Sequence, residues 1–232
     1  MRVLITRPQP GADETAARVR ALGLTPVVVP LTQTVPVDPR KPSELDAVSL
    51  VAITSPNAVR HAPGDLLQAL HTRPAFAVGS KSGEVAQAAG LRVSASDAGD
   101  AEHLAEQLID ASRPGDLIAI LCGRVRRALI EQRLQTAGRS VVVLETYDTR
   151  ALAVDAAAVS RVDVVLLYSA FAADVYMRAA GNRGPEAPLN ETRFVCISPR
   201  VAKRLDDVLA ANICIATQPD EEGMMGQLAL LR

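Results

Sequence analysis

The residues of this chain best suited to chemistry are hydroxyls and arginines that stand just after short apolar runs. Thr54-Ser55-Pro56 closes the run at 50–54, Ser169 follows the run at 162–167, and Ser198-Pro199 follows the run at 194–197. Arg7 comes directly after 3–6. Arg124, Arg126 and Arg127 come after 117–121 and Cys122-Gly123, and Arg200 and Lys203 follow Ser198-Pro199. Serine ahead of a helix caps its first turn, and proline at the first helical position gives up only an N–H that would be unpaired anyway. The remaining N–H groups suit a carboxylate or phosphate, and arginine forks pair with carboxylates. Any one of these residues read alone is a good helix start or a solvated face. Together at one sheet edge, they predict a site for an anionic ligand.

The more familiar site motifs are missing. No GxGxxG follows the first strand, and neither a GxxxxGK[ST] loop nor a GxSxG elbow occurs. His61, His71 and His103 lack metal-ligand spacing and read as surface residues, so neither metal nor cofactor is expected. Cys122, Cys196 and Cys214 form no CxxC pair and read as buried free thiols, not a disulfide framework. With 25 basic and 26 acidic residues the net charge is −1, which gives no global field to attract nucleic acid. The N-terminal residues 1–6 read as a strand rather than a signal peptide, and no apolar stretch approaches the ~20 residues of a membrane span. A cytoplasmic, monomeric enzyme acting on a small molecule is the expectation.

The elements that must position these residues follow from the hydrophobic pattern. Continuous apolar runs recur at 3–6, 27–30, 50–54, 75–78, 117–121, 141–144, 162–167, 194–197 and 213–216. Runs of this kind suit parallel strands covered on both faces. Between them lie helical spacings: Ala12, Ala16, Val19 and Leu22 ending at Gly23, Ile130, Leu134 and Ala137 ending at Gly138, and Val201, Leu205, Val208 and Leu209. Strand and helix in alternation predict a doubly wound α/β architecture, whose ligands bind at the C-terminal strand ends.

The chain also repeats itself at about half its length. Segment 2–31 reads like 117–147, 51–59 like 164–175, and 75–94 like 194–215. Two similar parallel-sheet lobes follow. The proline-bearing stretch 32–42 and the stretch 145–151 are the candidate crossings, and two crossings permit one lobe to be inserted into the other. Tyr147 follows one strand and opens the second crossing, where a side chain could reach a site. Segment 181–190 reads as a surface loop.

Several of these segments together resemble the uroporphyrinogen-III synthase family. Thr54-Ser55-Pro56-Asn57-Ala58-Val59 is similar to its Thr-Ser-x-x-Ala-Val turn. Ala77-Val78-Gly79-Ser80-Lys81-Ser82 is similar to Val-Gly-x-x-Thr, and Gly99-Asp100-Ala101-Glu102-His103-Leu104 to Gly-x-x-Glu-x-Leu. Glu145-Thr146-Tyr147-Asp148-Thr149 resembles Val-Tyr-x-Thr. The chain departs from the family at Ser198-Pro199-Arg200-Val201, where Gly-Pro-x-Thr is frequent, and Ser198 or Arg200 would substitute. Ser169 lacks the frequent following proline. The resemblance implies one lobe from 1–33 plus 152–232, a second from 40–144, and linker strands at 34–39 and 145–151. It implies a cofactor-free lyase that closes hydroxymethylbilane, a linear tetrapyrrole with eight carboxylates, into uroporphyrinogen III. Tyr147 would help the hydroxyl leave, since a phenol can donate at neutral pH. Arg7, Thr54, Ser55, Ser80, Ser82, Gly123, Arg124, Arg127, Ser169, Ser198 and Arg200 would bind substrate. A non-catalytic bilobed receptor for a small anion is the rival expectation.

Overall fold

Strands and helices alternate along the chain and wind into two parallel sheets in the computed structural model, which describes residues 1–39, 43–181, 191–206 and 208–231. Of the loop expected at 181–190, Gly181 instead ends a helix and the rest lies outside the described residues, as does Pro42 of the first crossing. The chain divides into two compact units, Met1–Gln33 with Arg150–Arg232, and Thr34–Thr149.

The first unit holds β1 (Arg2–Ile5), β2 (Thr25–Val28), β9 (Val164–Leu167), β10 (Arg193–Cys196) and β11 (Ile213–Ile215) in the order β11-β10-β9-β1-β2. Every pairing in it is parallel. Alternate strand residues feed two cores. Leu4, Val165 and Phe194 pack under α7 (Ala170–Gly181) and α8 (Pro199–Ala202). Val3, Ile5 and Val195 pack under α1 (Gly11–Ala21) and α9 (Glu221–Ala229). The same parity sets Cys196 and Cys214 on opposite faces, because Cys214 pairs with Val195, and all three cysteines are free.

The second sheet, of which only Thr32, Gln33, Arg150 and Ala151 fall outside the second unit, holds β3 (Thr32–Pro36), β4 (Val48–Ile53), β5 (Pro74–Ala77), β6 (Arg92–Ala95), β7 (Leu117–Gly123) and β8 (Ser140–Ala151) in the order β3-β8-β7-β4-β5-β6. Val51, Ile53 and Leu121 are covered by α2 (Pro56–Arg60), α3 (Gly64–Leu70) and α4 (Ser80–Ala88). Leu50, Ile118 and Ile120 are covered by α5 (Ala101–Asp110) and α6 (Leu129–Thr136). Parallel strands buried on both faces need near-continuous apolar runs, which is why all nine runs fall on strands. β6 is an edge strand with exposed alternate residues and has no such run.

The half-length repeat holds strand for strand. Matching β7 and β8 to β1 and β2, and β4, β5 and β6 to β9, β10 and β11, makes the two spatial orders identical, with β3 added at one edge. The glycines expected to close α1 and α6 do so, Gly23 at φ 74° and Gly138 at φ 77°. The third helical spacing departs from expectation. Only residues 199–202 are helical, yet Leu205 and Val208 still reach the core from the turns beyond.

The sheet of the second unit carries an irregularity at its strand ends. The β7–β8 register runs evenly to Cys122 opposite Glu145 and then shifts, so that Gly123 lies opposite Tyr147. Thr146 is the extra residue of this bulge. Its hydroxyl donates to the Ala58 carbonyl at 2.7 Å, tying β8 to α2.

Candidate active site

In an open α/β sheet the crevice for a ligand lies where successive connections leave in opposite directions, outside the strand C-termini. In the second unit that point falls between β4 and β7, and in the first between β1 and β9. The loops at these points carry Thr54, Ser55, Gly123 and the arginines after β7 in the second unit and Arg7 and Ser169 in the first, whereas Ser80 and Ser82 follow β5 and Ser198 and Arg200 follow β10.

After β4, the Thr54 hydroxyl donates to the Leu121 carbonyl at 3.1 Å, which fixes the turn against β7. Ser55 is extended, at φ −163° and ψ 158°, and caps α2 by accepting the Ala58 N–H at 3.2 Å. Its Oγ lies 3.0 Å from the Tyr147 hydroxyl. Tyr147 gets there through the bulge. Were the ladder regular, with Thr146 paired in turn, Tyr147 would share the face of Glu145 and point toward α5 and α6. Instead its ring lies on the α2 side of the sheet, over Gly123 and 6.0 Å from the His61 ring. The His61 Nε2 lies 3.1 Å from the Thr34 hydroxyl. Burial, then the neighbouring Arg60 charge, lowers the pKa of His61. Sequence reasoning places this half-buried histidine on the surface, since nothing local marks its approach to a tyrosine 86 positions later.

The arginines after β7 fall into two kinds. Arg124 pairs with Glu145 at 3.3 Å and with Asp148 at 3.6 Å, while its backbone N–H donates to the Tyr147 carbonyl at 2.8 Å. Arg126 bridges Glu131 at 2.7 Å and Glu145 at 2.8 Å. Arg127 is exposed, and among the described residues no carboxylate pairs with it. After β5, Ser80 is exposed at the first position of α4, whereas Ser82 is 3% exposed and turned into the helix packing.

The first unit's edge is organised around Arg7. Its Nη1 donates to Glu221 at 2.7 Å and to Thr15 at 3.3 Å, and its guanidinium lies 4.5 Å over the Tyr168 ring. Tyr168 and Thr15 both donate to the same Glu221 oxygen, at 3.2 Å and 2.8 Å. Burial, reinforced by the Glu221 charge, raises the Tyr168 pKa and keeps the phenol protonated. Ser169 caps α7 by accepting the Ala172 N–H at 3.1 Å. Ser198 makes no such bond, and Arg200 is exposed, with no carboxylate partner among the described residues. The helices opened by Ser55-Pro56 and Ser198-Pro199 have only five and four residues, so the dipole expected to draw an anion there is small.

A family model described as uroporphyrinogen-III synthase HemD matches residues 13–226. The chain belongs to the uroporphyrinogen-III synthase family. Among solved structures it is similar to uroporphyrinogen-III synthetase from Helicobacter pylori, at 14% identity over 100% of both chains with a TM-score of 0.69. It is also similar to a mutant uroporphyrinogen III synthase from Thermus thermophilus, at 20% identity over 100% of this chain and 99% of that one, with a TM-score of 0.59. Likeness at these identities is one of fold. No curated protein matches the chain. As a member of the uroporphyrinogen-III synthase family it is a cofactor-independent cyclising lyase, converting hydroxymethylbilane to uroporphyrinogen III in porphyrin and heme biosynthesis. Nothing favours the receptor reading. Among the described residues no helix is long and apolar enough to cross a membrane.

Uroporphyrinogen-III synthase chemistry needs a proton for a leaving hydroxyl and a surface that folds a polyanionic chain on itself. The phenol of Tyr147 beside one switch point, and the cations of Arg127 and Arg200, which have no carboxylate partner among the described residues, are groups able to do these things.

Proposed function

We propose that Tyr147 donates the proton on which the hydroxyl of hydroxymethylbilane leaves, and that strand-end loops hold the substrate's carboxylates. The observation that carries this reading is the Tyr147 hydroxyl 3.0 Å from Ser55 at the β4/β7 switch point. Protonation lets the electron-rich pyrrole expel water and leaves an azafulvene cation. The already substituted carbon of the terminal pyrrole then attacks it, giving a spiro intermediate. Reopening and recombination invert that ring, and the proton lost as it regains aromaticity balances the one Tyr147 supplied. Most of the acceleration is proximity and orientation of a flexible chain, with one acid step.

Arg127 and Arg200 are the direct carboxylate ligands in this reading, because neither is neutralised by an acidic neighbour among the described residues. Ser80, Gly123, Ser169 and Ser198 line the loops and offer hydroxyls or backbone N–H groups, while Thr54 and Ser55 fix the turn after β4. Arg7, Arg124 and Ser82 act from behind, through the loops that they fix. The enzyme works as a monomer in the cytoplasm, where its free thiols fit a reducing compartment. Sedimentation and cell fractionation test these two points.

The decisive variant is Tyr147→Phe, which keeps the ring and removes the donor. Turnover should fall by about 100-fold with melting little changed. Separation of the product isomers should show unrearranged uroporphyrinogen I rising as spontaneous closure overtakes the enzyme. A variant with full kcat would leave Tyr147 a packing residue.

A further inference from the structure

We infer that Ser55 is the positioning residue of Tyr147, its hydroxyl donating to the phenol oxygen so that the phenol's own proton faces the substrate. The inference rests on Tyr147 being the proton donor and adds how that proton is aimed.

The direction of one hydrogen bond carries the argument. The Ser55 oxygen accepts the Ala58 N–H at 3.2 Å and keeps one lone pair and its O–H, so at 3.0 Å from Tyr147 either hydroxyl can donate, and the substrate decides which. A phenol likewise has one proton and can accept. If Tyr147 donated to Ser55, its proton would be spent inside the protein. If Ser55 donates to Tyr147, the phenol proton is left for the leaving oxygen. An arriving substrate hydroxyl favours the second arrangement by supplying the acceptor. As the proton transfers, negative charge grows on the phenol oxygen, and the Ser55 hydrogen bond becomes charge-assisted and stronger. Ser55 therefore helps most in the transition state, the condition for raising kcat rather than lowering KM.

The pair is held rigidly enough for this. The extended backbone of Ser55 is fixed as the cap of α2, and Thr146, next to Tyr147, bonds the Ala58 carbonyl of that same helix at 2.7 Å. Ala58 thus donates its N–H to the Ser55 cap and accepts Thr146 of β8 at its C=O, so α2 with its cap cannot drift from β8 without breaking the Thr146–Ala58 bond. Thr54 anchors the turn to Leu121 from the other side.

The test is a double-mutant cycle on the full chain with hydroxymethylbilane, measuring kcat, KM and melting. Ser55→Gly removes the hydroxyl while glycine remains an acceptable helix cap, and Ser55→Thr restores both functions. Ser55→Gly should lower kcat about tenfold or more with KM within about twofold. Ser55→Thr should return kcat to within about threefold of the parent enzyme. In a Tyr147→Phe background, Ser55→Gly should cost nothing further, because the residue acts only through the phenol. Equal losses in both backgrounds, or a change in KM alone, would make Ser55 a direct ligand and overturn the inference. Full kcat in Ser55→Gly while Tyr147→Phe is impaired would overturn it and leave Tyr147 as the donor. Full kcat in Tyr147→Phe would sink both.

Discussion

Gly123 lies opposite Tyr147 across the β7–β8 ladder, so close that a Cβ on the glycine would fall 2.6 Å from the tyrosine Cζ and 2.9 Å from its oxygen. The glycine is there to make room for the hydroxyl-bearing end of the ring. Gly123→Ala should push the phenol off Ser55 and lower kcat at least tenfold, toward the level of Tyr147→Phe. Overpacking of this kind costs roughly 1–3 kcal/mol, so a modest drop in melting temperature should accompany it. An alanine variant with full turnover would show that the ring position is not needed.

The two kinds of arginine should separate kinetically. Arg127→Ala and Arg200→Ala should each raise KM by about fivefold or less with kcat unchanged, as expected for exposed pairs worth about 1 kcal/mol. The effect should shrink with added salt. Arg124→Ala should instead disturb kcat, since it braces Glu145 and Asp148 beside Tyr147. Wild-type KM at low salt in both of the first two variants would make them solvated charges.

Glu145 should report acid unfolding of the second unit. Burial opposes its ionised form, but hydrogen bonds from Arg126 and Arg124 outweigh that and hold the carboxyl below the ordinary glutamate range. A carboxyl with a depressed folded-state pKa stabilises the fold above its unfolded value and loses that contribution as pH falls through the folded one. Glu145→Gln should therefore flatten the loss of stability below about pH 4.5 and lower stability at neutral pH. Parallel curves for variant and parent, measured by denaturant titration across pH, would contradict this.

The thiols offer a check on the core. Burial raises Cys122 and Cys196 to about 12, the first despite the opposing charge of Arg126. Neither should react with an aromatic disulfide reagent at pH 8 in the folded protein, and both should react in denaturant. More than one fast thiol in the native state would mean that a sheet opens.

What sequence reveals here is what repeats locally. Apolar runs mark doubly covered strands because both faces of a parallel strand must be apolar, and Gly23 and Gly138 mark helix ends because only glycine takes that backbone cheaply. Thr54, Ser55 and Gly123 are legible as strand-end residues for the same reason. The bulge at Thr146 is not, since one extra residue leaves no mark on an apolar pattern, yet it decides which face Tyr147 takes. The Arg7–Glu221 pair joins residues 214 positions apart, so only the folded sheet brings them together. The expected helix beyond residue 202 shows the converse, a helical period that buries Leu205 and Val208 without a helix.

The strand-for-strand match between the units reads as a genealogy. In chain order the pieces run β1–β2, β4–β6, β7–β8, β9–β11, a two-strand piece and a three-strand piece and then the same pair again. Each unit, however, is assembled from the two-strand piece of one copy and the three-strand piece of the other. The strand order is the one a duplicated half would give if its copies had exchanged pieces, as in a domain-swapped dimer. Neither half of the chain holds the strands of a complete unit, so each unit needs both halves to close its sheet.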